Sequence, residues 1–407
     1  MLRKLRRLRR LLGPDPDAAR QGLAALGVAL VASFFAGLTL GSIEGTLEEL
    51  PGLLVLIPAA IGMRGTIFGA LGSRLSTAIH TGTFGLARRA DTVVGQNVLA
   101  SAALSLSTAF ALAILAKLVA VAFGLGGTIT VPELVVISVL AGVASSAVVL
   151  VLTVALAAWS VRAGWDSDNV LAPVITAAGD MVTLPALFLA SLVIGLRPLT
   201  VPLAVLLAAA SLAIPVVALR SSLTLLKRIV VESFPVVLAA GVLDLVAGLT
   251  IEKRLSSFTA FPALLVLIPP FLAASGALGG ILSSRLSSAL HLGVISPTAV
   301  PSRPARVNIA LTFVLALPLF VLCSVVADAG SAVTGLASPG ALRLLGVTMV
   351  GGTVATCFVV VVAYYGTIVA VRLGLDPDTY GIPVVTSSVD LVGAFALILG
   401  ILALGLG

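Results

Sequence analysis

Two aspartates stand in a chain that is otherwise almost free of charge. Asp180 and Asp390 each lie about ten residues into a long apolar run. Ahead of each, a threonine and a proline recur at the same steps, giving Pro173, Thr176, Asp180 and Pro383, Thr386, Asp390. Steps of three and four place all three residues on one helix face. Proline leaves a backbone carbonyl without its N–H partner. Each face therefore offers a carboxylate, a hydroxyl and a carbonyl. Such an all-oxygen set suits a hard cation, Mg2+ first, with Mn2+ and Co2+ as further candidates. Mg2+ gives up water reluctantly, so the expected site holds it largely hydrated. An ionisable group in a membrane span costs ~2.5–3.5 kcal/mol or more, which marks it as functional.

Other side chains carry weaker signals. Asp166 and Asp168, repeated as Asp376 and Asp378, precede the same two runs. They fit helix N-caps, and they equally fit an acidic vestibule that concentrates cations. Asp244 lies inside an apolar run whose matching position holds Ser33, which marks an asymmetric ion or proton site and a candidate coupling residue. Glu44, Glu48 and Glu49 form either a solvated loop or an outer funnel. Arg74 and Arg285 are expected at the inner end of their spans, as headgroup anchors or partners of the loop aspartates. The two histidines, His80 and His291, occupy matched places without Cys or His companions, so they read as interfacial rather than zinc ligands. Cys323 and Cys357 sit in apolar stretches, fit no metal or disulfide spacing and read as packing. The carboxylates are dispersed and no nucleophile–base set accompanies them, so the chain reads as a non-enzyme. A membrane-embedded lipid enzyme is the weakest alternative.

The elements that must position these residues are transmembrane helices. The chain is 59% hydrophobic and 10% charged, with mean hydropathy +1.21, whereas soluble domains carry about 25% charged residues. The net charge of +7 gathers in short loops and at the N-terminus, and aromatics make up 5%. That pattern speaks for membrane orientation and against nucleic acid. Residues 1–20, with Arg3, Lys4, Arg6, Arg7, Arg9 and Arg10, read as a basic cytoplasmic segment rather than a cleaved signal. Apolar runs of spanning length lie near 21–43, 51–73, 97–122, 133–161, 170–196, 199–219, 234–251, 262–284, 307–327, 341–371 and 383–406. No stretch reads as strand.

The runs repeat. Residues 51–82 align without gaps to 262–293, with 17 of 32 positions identical, and 164–180 align to 374–390 with seven of 17. Pro, Arg, His and Asp recur in order, which apolar composition alone does not produce. The expected fold is thus all-α and polytopic, with two parallel five-helix repeats (21–196 and 232–407) joined by a linking helix and cytoplasmic loop (197–231). An odd number of spans per repeat would invert the second copy, and the linking helix restores it. Parallel copies are related by a pseudo-two-fold axis along the membrane normal. A monomer would then behave as a pseudo-dimer in the cell membrane, its N-terminus cytoplasmic, with lipid and a divalent cation as its partners.

The stretch IPAAIGMRGTIFGALGSRLSTAIHTG, together with the repeated Asp-x-Asp, Pro, Thr, Asp pattern at 166–180 and 376–390, resembles the solute carrier family 41 branch of the MgtE magnesium transporters. The resemblance covers roughly 20–195 and 232–405. It implies a divalent cation pathway between two five-helix units and carries the family's pore carboxylate onto Asp180 and Asp390. The family's Gly-Asn appears here as Gly65-Thr66 and Gly276-Ala277, so the Asn is missing from both copies. No cytoplasmic regulatory domain of the bacterial type is expected. Mg2+ transport is the leading reading, and a Na+- or H+-coupled divalent cation exchanger is the alternative.

Overall fold

The computed structural model describes residues 16–85, 89–163, 167–194, 197–373 and 382–406. Among these residues all regular structure is helical, without strands. A bilayer offers the backbone no hydrogen-bond partners, so apolar segments close their bonds internally as helices. The first half holds α1 (Pro16–Ser42), the short α2 (Glu44–Glu49), α3 (Leu53–His80), α4 (Val93–Ala122), α5 (Val131–Ala163) and α6 (Ser167–Val193). The linking helix is α7 (Arg197–Arg220). The second half repeats the order: α8 (Thr224–Glu252), the short α9 (Leu255–Ala260), α10 (Ala263–His291), α11 (Arg303–Thr334), α12 (Ala341–Arg372) and α13 (Ile382–Ala403).

Among the described residues ten helices are long and apolar enough to cross a membrane, and the described apolar part of α1, Gly27–Ser42, accompanies them. The protein is a multi-pass membrane protein. Several helices run past the sequence expectation, among them those expected at 51–73, 234–251, 262–284 and 307–327. The second span does not stop near Arg74 but runs on to His80, because no glycine or proline interrupts the turns between. Arg74 therefore lies within the helix, half-buried, with its Nε and one terminal nitrogen meeting no partner.

Packing runs crosswise between the halves. Within the first half α6 lies against α1, α3 and α5; within the second, α13 lies against α8, α10 and α12. The first helix of each half, however, also packs on the second helix of the other: α1 on α10, and α8 on α3. Small residues permit the close approach. A side chain at Gly37 on α1 would run into the Val266 carbonyl of α10, and one at Gly248 on α8 would run into the Val55 carbonyl of α3. These four residues occupy matched positions in the two halves. Buried Glu252, at the end of α8, adds a polar tie: its Oε1 accepts the Gly52 N–H at 2.8 Å, capping the start of α3. The halves are not identical in their surroundings. α7 covers α4 and α5 and is the least buried span, while α11, the counterpart of α4, is left more open.

Candidate functional site

The site lies where α6 and α13 meet the helices that cross between halves. Asp180 is 7% exposed, and its Oδ2 accepts a hydrogen bond from Ser33 of α1 at 3.0 Å. Asp390 is half-buried. Its carboxylate stands within Coulombic reach of Asp244 and of Asp180. Three acidic side chains from three helices thus share one region of a bundle whose outside is apolar.

Asp244 reaches this region from α8. It is 1% exposed, and no donor meets either of its oxygens with hydrogen-bonding geometry. Ser387 of α13 lies beside it. On the other side is Gly62 of α3, where a Cβ would overlap Asp244 Oδ2. The sequence pairs Asp244 with Ser33, and their roles in the structure correspond. Ser33 faces the aspartate of the last helix in the first half, and Asp244 faces that in the second.

Small residues on α3 and α10 bring the backbone close to the aspartate-bearing helices. A Cβ at Gly65 would stand 3.1 Å from Thr176 Cγ2, and one at Gly69 would stand 3.6 Å from Thr176 Oγ1. One at Gly276 would stand 3.8 Å from Asp390 Oδ1. Thr176 and Thr386 are both half-buried. The backbone is helical at Pro173 and Pro383, but their side chains, like that of Asp168, lie outside the described residues, as do Asp166, Asp376 and Asp378 altogether. The His80 and His291 side chains are outside them too. Among the described residues, no three acidic, histidine or cysteine side chains close around one ligating point. A cleft of about 330 Å³ between α1, α6 and α11 is walled by Phe35, Thr39, Ser42, Met181, Pro185 and Thr334, without Asp180.

One residue here escaped the sequence reading. Arg64 of α3 is 1% exposed. Its Nε donates to Ser145 Oγ at 2.8 Å and its Nη1 to the Ala60 carbonyl at 2.9 Å. Its stem runs past Gly179, beside Asp180, yet no carboxylate comes within ion-pair distance of it among the described residues. The signal was present: an arginine in the middle of an apolar span, with Ser275 at the matched position. The side chain turns away from the aspartates toward Ser145 of α5.

Outside the spans, Glu44 on α2 is half-buried with Oε2 lacking a partner. Burial, and then the neighbouring Glu48, hold its carboxyl above the usual range.

A family model described as MgtE, divalent cation transporter, matches the chain twice, over residues 57–190 and 268–400, which is more than half of it. Solute carrier family 41 member 3 of Rattus norvegicus is 26% identical over 424 residues, spanning 95% of this chain and 88% of the relative. The protein of the same name from Mus musculus is 26% identical over 383 residues, spanning 86% and 75%. No solved structure matches.

Proposed function

The chain belongs to the MgtE family of divalent cation transporters, and on that premise we propose that its cargo is Mg2+, moved along a central pathway between the two repeats. Asp180 and Asp390 hold the ion there, with Thr176, Thr386 and the carbonyls near Pro173 and Pro383 supplying further oxygens. The observation that carries this reading is convergence: carboxylates from matched places in the two repeats stand within Coulombic reach of each other inside the bundle. The dispersed ligands fit an ion bound through its waters better than a stripped one. Mn2+ and Co2+ pass by the same route. The matched contacts of Gly37 with Val266 and Gly248 with Val55 support parallel repeats related by a pseudo-two-fold axis, and so a monomer that works as a pseudo-dimer. In this reading the N-terminus is cytoplasmic in a cell-membrane protein, and most basic loops then follow the positive-inside rule, with Arg197, Lys253, Arg254 and Arg343 at outer helix ends as exceptions.

The test is Mg2+ flux in proteoliposomes for Asp180→Asn and Asp390→Asn. Each variant, checked for a native size-exclusion profile, is expected to lose about tenfold or more in flux, or ~1.4 kcal/mol. Near-normal flux in both would overturn the reading.

A further inference from the structure

The two poles of the site are chemically unequal, and three matched positions favour the same side. At the first pole Asp180 already has a donor in Ser33. At the second, Asp244 stands where Ser33 would be; the neutral Ser387 hydroxyl lies beside it, and neither oxygen meets a donor in close hydrogen-bonding geometry. Ser387, 3% exposed, adds a hydroxyl where the first half has Ala177. Gly62, rather than the matched Ala273, gives the Asp244 carboxylate its room. Three independent positions thus add oxygen or space at one pole.

A buried carboxylate with no more than one neutral hydroxyl beside it is costly, and it persists where something else satisfies it. Among the described residues no basic side chain does so: Arg64, two residues beyond Gly62, directs its Nε and Nη1 to Ser145 and Ala60. What the pole lacks is positive charge, and the oxygens of Asp244, Asp390 and Ser387 are the ligands a hard divalent cation takes.

We propose that the transported divalent cation rests off the pseudo-axis, at a pole formed by Asp244, Asp390 and Ser387, and that the Asp244 carboxylate binds it directly or through one layer of water. This rests on the reading that Asp180 and Asp390 line the pathway. Asp180, with Ser33, is then the second station along the same route, and the two repeats are unequal in what they do.

The experiment measures binding of Mg2+ and of Mn2+ to the detergent-solubilised full chain by titration calorimetry, alongside flux. Asp244→Asn keeps the shape and removes the charge; it is expected to weaken both metals about tenfold or more. Asp244→Ser is expected to do the same. The combination Ser33→Asp, Ala273→Gly and Asp244→Ser rebuilds the acidic pole against Asp180 and should recover binding to within about threefold of the starting protein. Wild-type binding in Asp244→Asn overturns the proposal. So does a folded combination protein that stays as weak as Asp244→Ser. If Asp390→Asn loses binding while Asp244→Asn keeps it, the off-axis pole fails and the central pathway stands. If Asp180→Asn, Asp390→Asn and Asp244→Asn all bind normally, both fail.

Discussion

Replacing Gly62 by alanine asks whether the Asp244 carboxylate is packed where the structure puts it. In an ordinary mid-helix position this change stabilises by ~0.8–1.0 kcal/mol, because alanine gives up less backbone freedom than glycine. Here the new methyl would stand 3.2 Å from Asp244 Cγ and 3.8 Å from Oδ1, and would overlap Oδ2. The carboxylate must turn away, and overpacking of this kind costs ~1–3 kcal/mol. The net expectation is a loss of about 1 kcal/mol. With Asp244→Ser already in place the obstacle is gone, and the same alanine should stabilise by nearly its intrinsic amount. The coupling between the two substitutions is therefore about 2 kcal/mol, well above the scatter of independent sites. Unfolding of four detergent-solubilised proteins (starting chain, both single variants and the double) measures it. If Gly62→Ala shifts the midpoint equally in both backgrounds, Asp244 does not occupy the space assigned to it.

Two further outcomes are expected elsewhere. Glu252→Ala removes the acceptor of the Gly52 N–H, a charged hydrogen bond worth ~1.5–3 kcal/mol, so the protein should unfold earlier; an unchanged melt would refute the cap across the halves. Glu44→Gln probes pH. The folded-state carboxyl sits above its usual range, so its ionisation weakens the fold as pH rises through that range and costs nothing below it. The variant should melt slightly above the starting chain at pH 8 and level with it at pH 4, and the reverse order in thermal scans would contradict this.

Much of the architecture was legible before any coordinates. Span length and apolarity locate helices directly, and a duplicated pattern of Pro, Arg, His and Asp reports a repeat whatever the fold. Asp180 and Asp390 could be found because a carboxylate in a span has few bland explanations. Asp244 was visible as a charge, but not as a neighbour of Asp390, because periodicity gives a residue's face and not the helix that face meets. The crosswise packing was hidden for the same reason: Gly37 and Gly248 read as ordinary small residues until Val266 and Val55 stand opposite them. Glu252 carries no sequence signal of its own, and only its distance to Gly52 reveals a partner in the other half. Arg64 was the opposite case, a loud signal whose hydrogen bonds to Ser145 and Ala60 lie too far apart in sequence to foresee as a set.

The crosswise packing also restricts how the protein can move. Because α1 grips α10 and α8 grips α3, the two repeats are clasped like linked hands. Rocking one repeat as a block against the other would pull Gly37 off Val266 and Gly248 off Val55 together, breaking two close backbone contacts between the halves. The motion of lower cost is bending within α3 and α10, whose interior prolines Pro58, Pro269 and Pro270 already interrupt the hydrogen-bond ladder. A gate built this way flexes two central levers inside a fixed frame, and the frame need not open for the ion to pass.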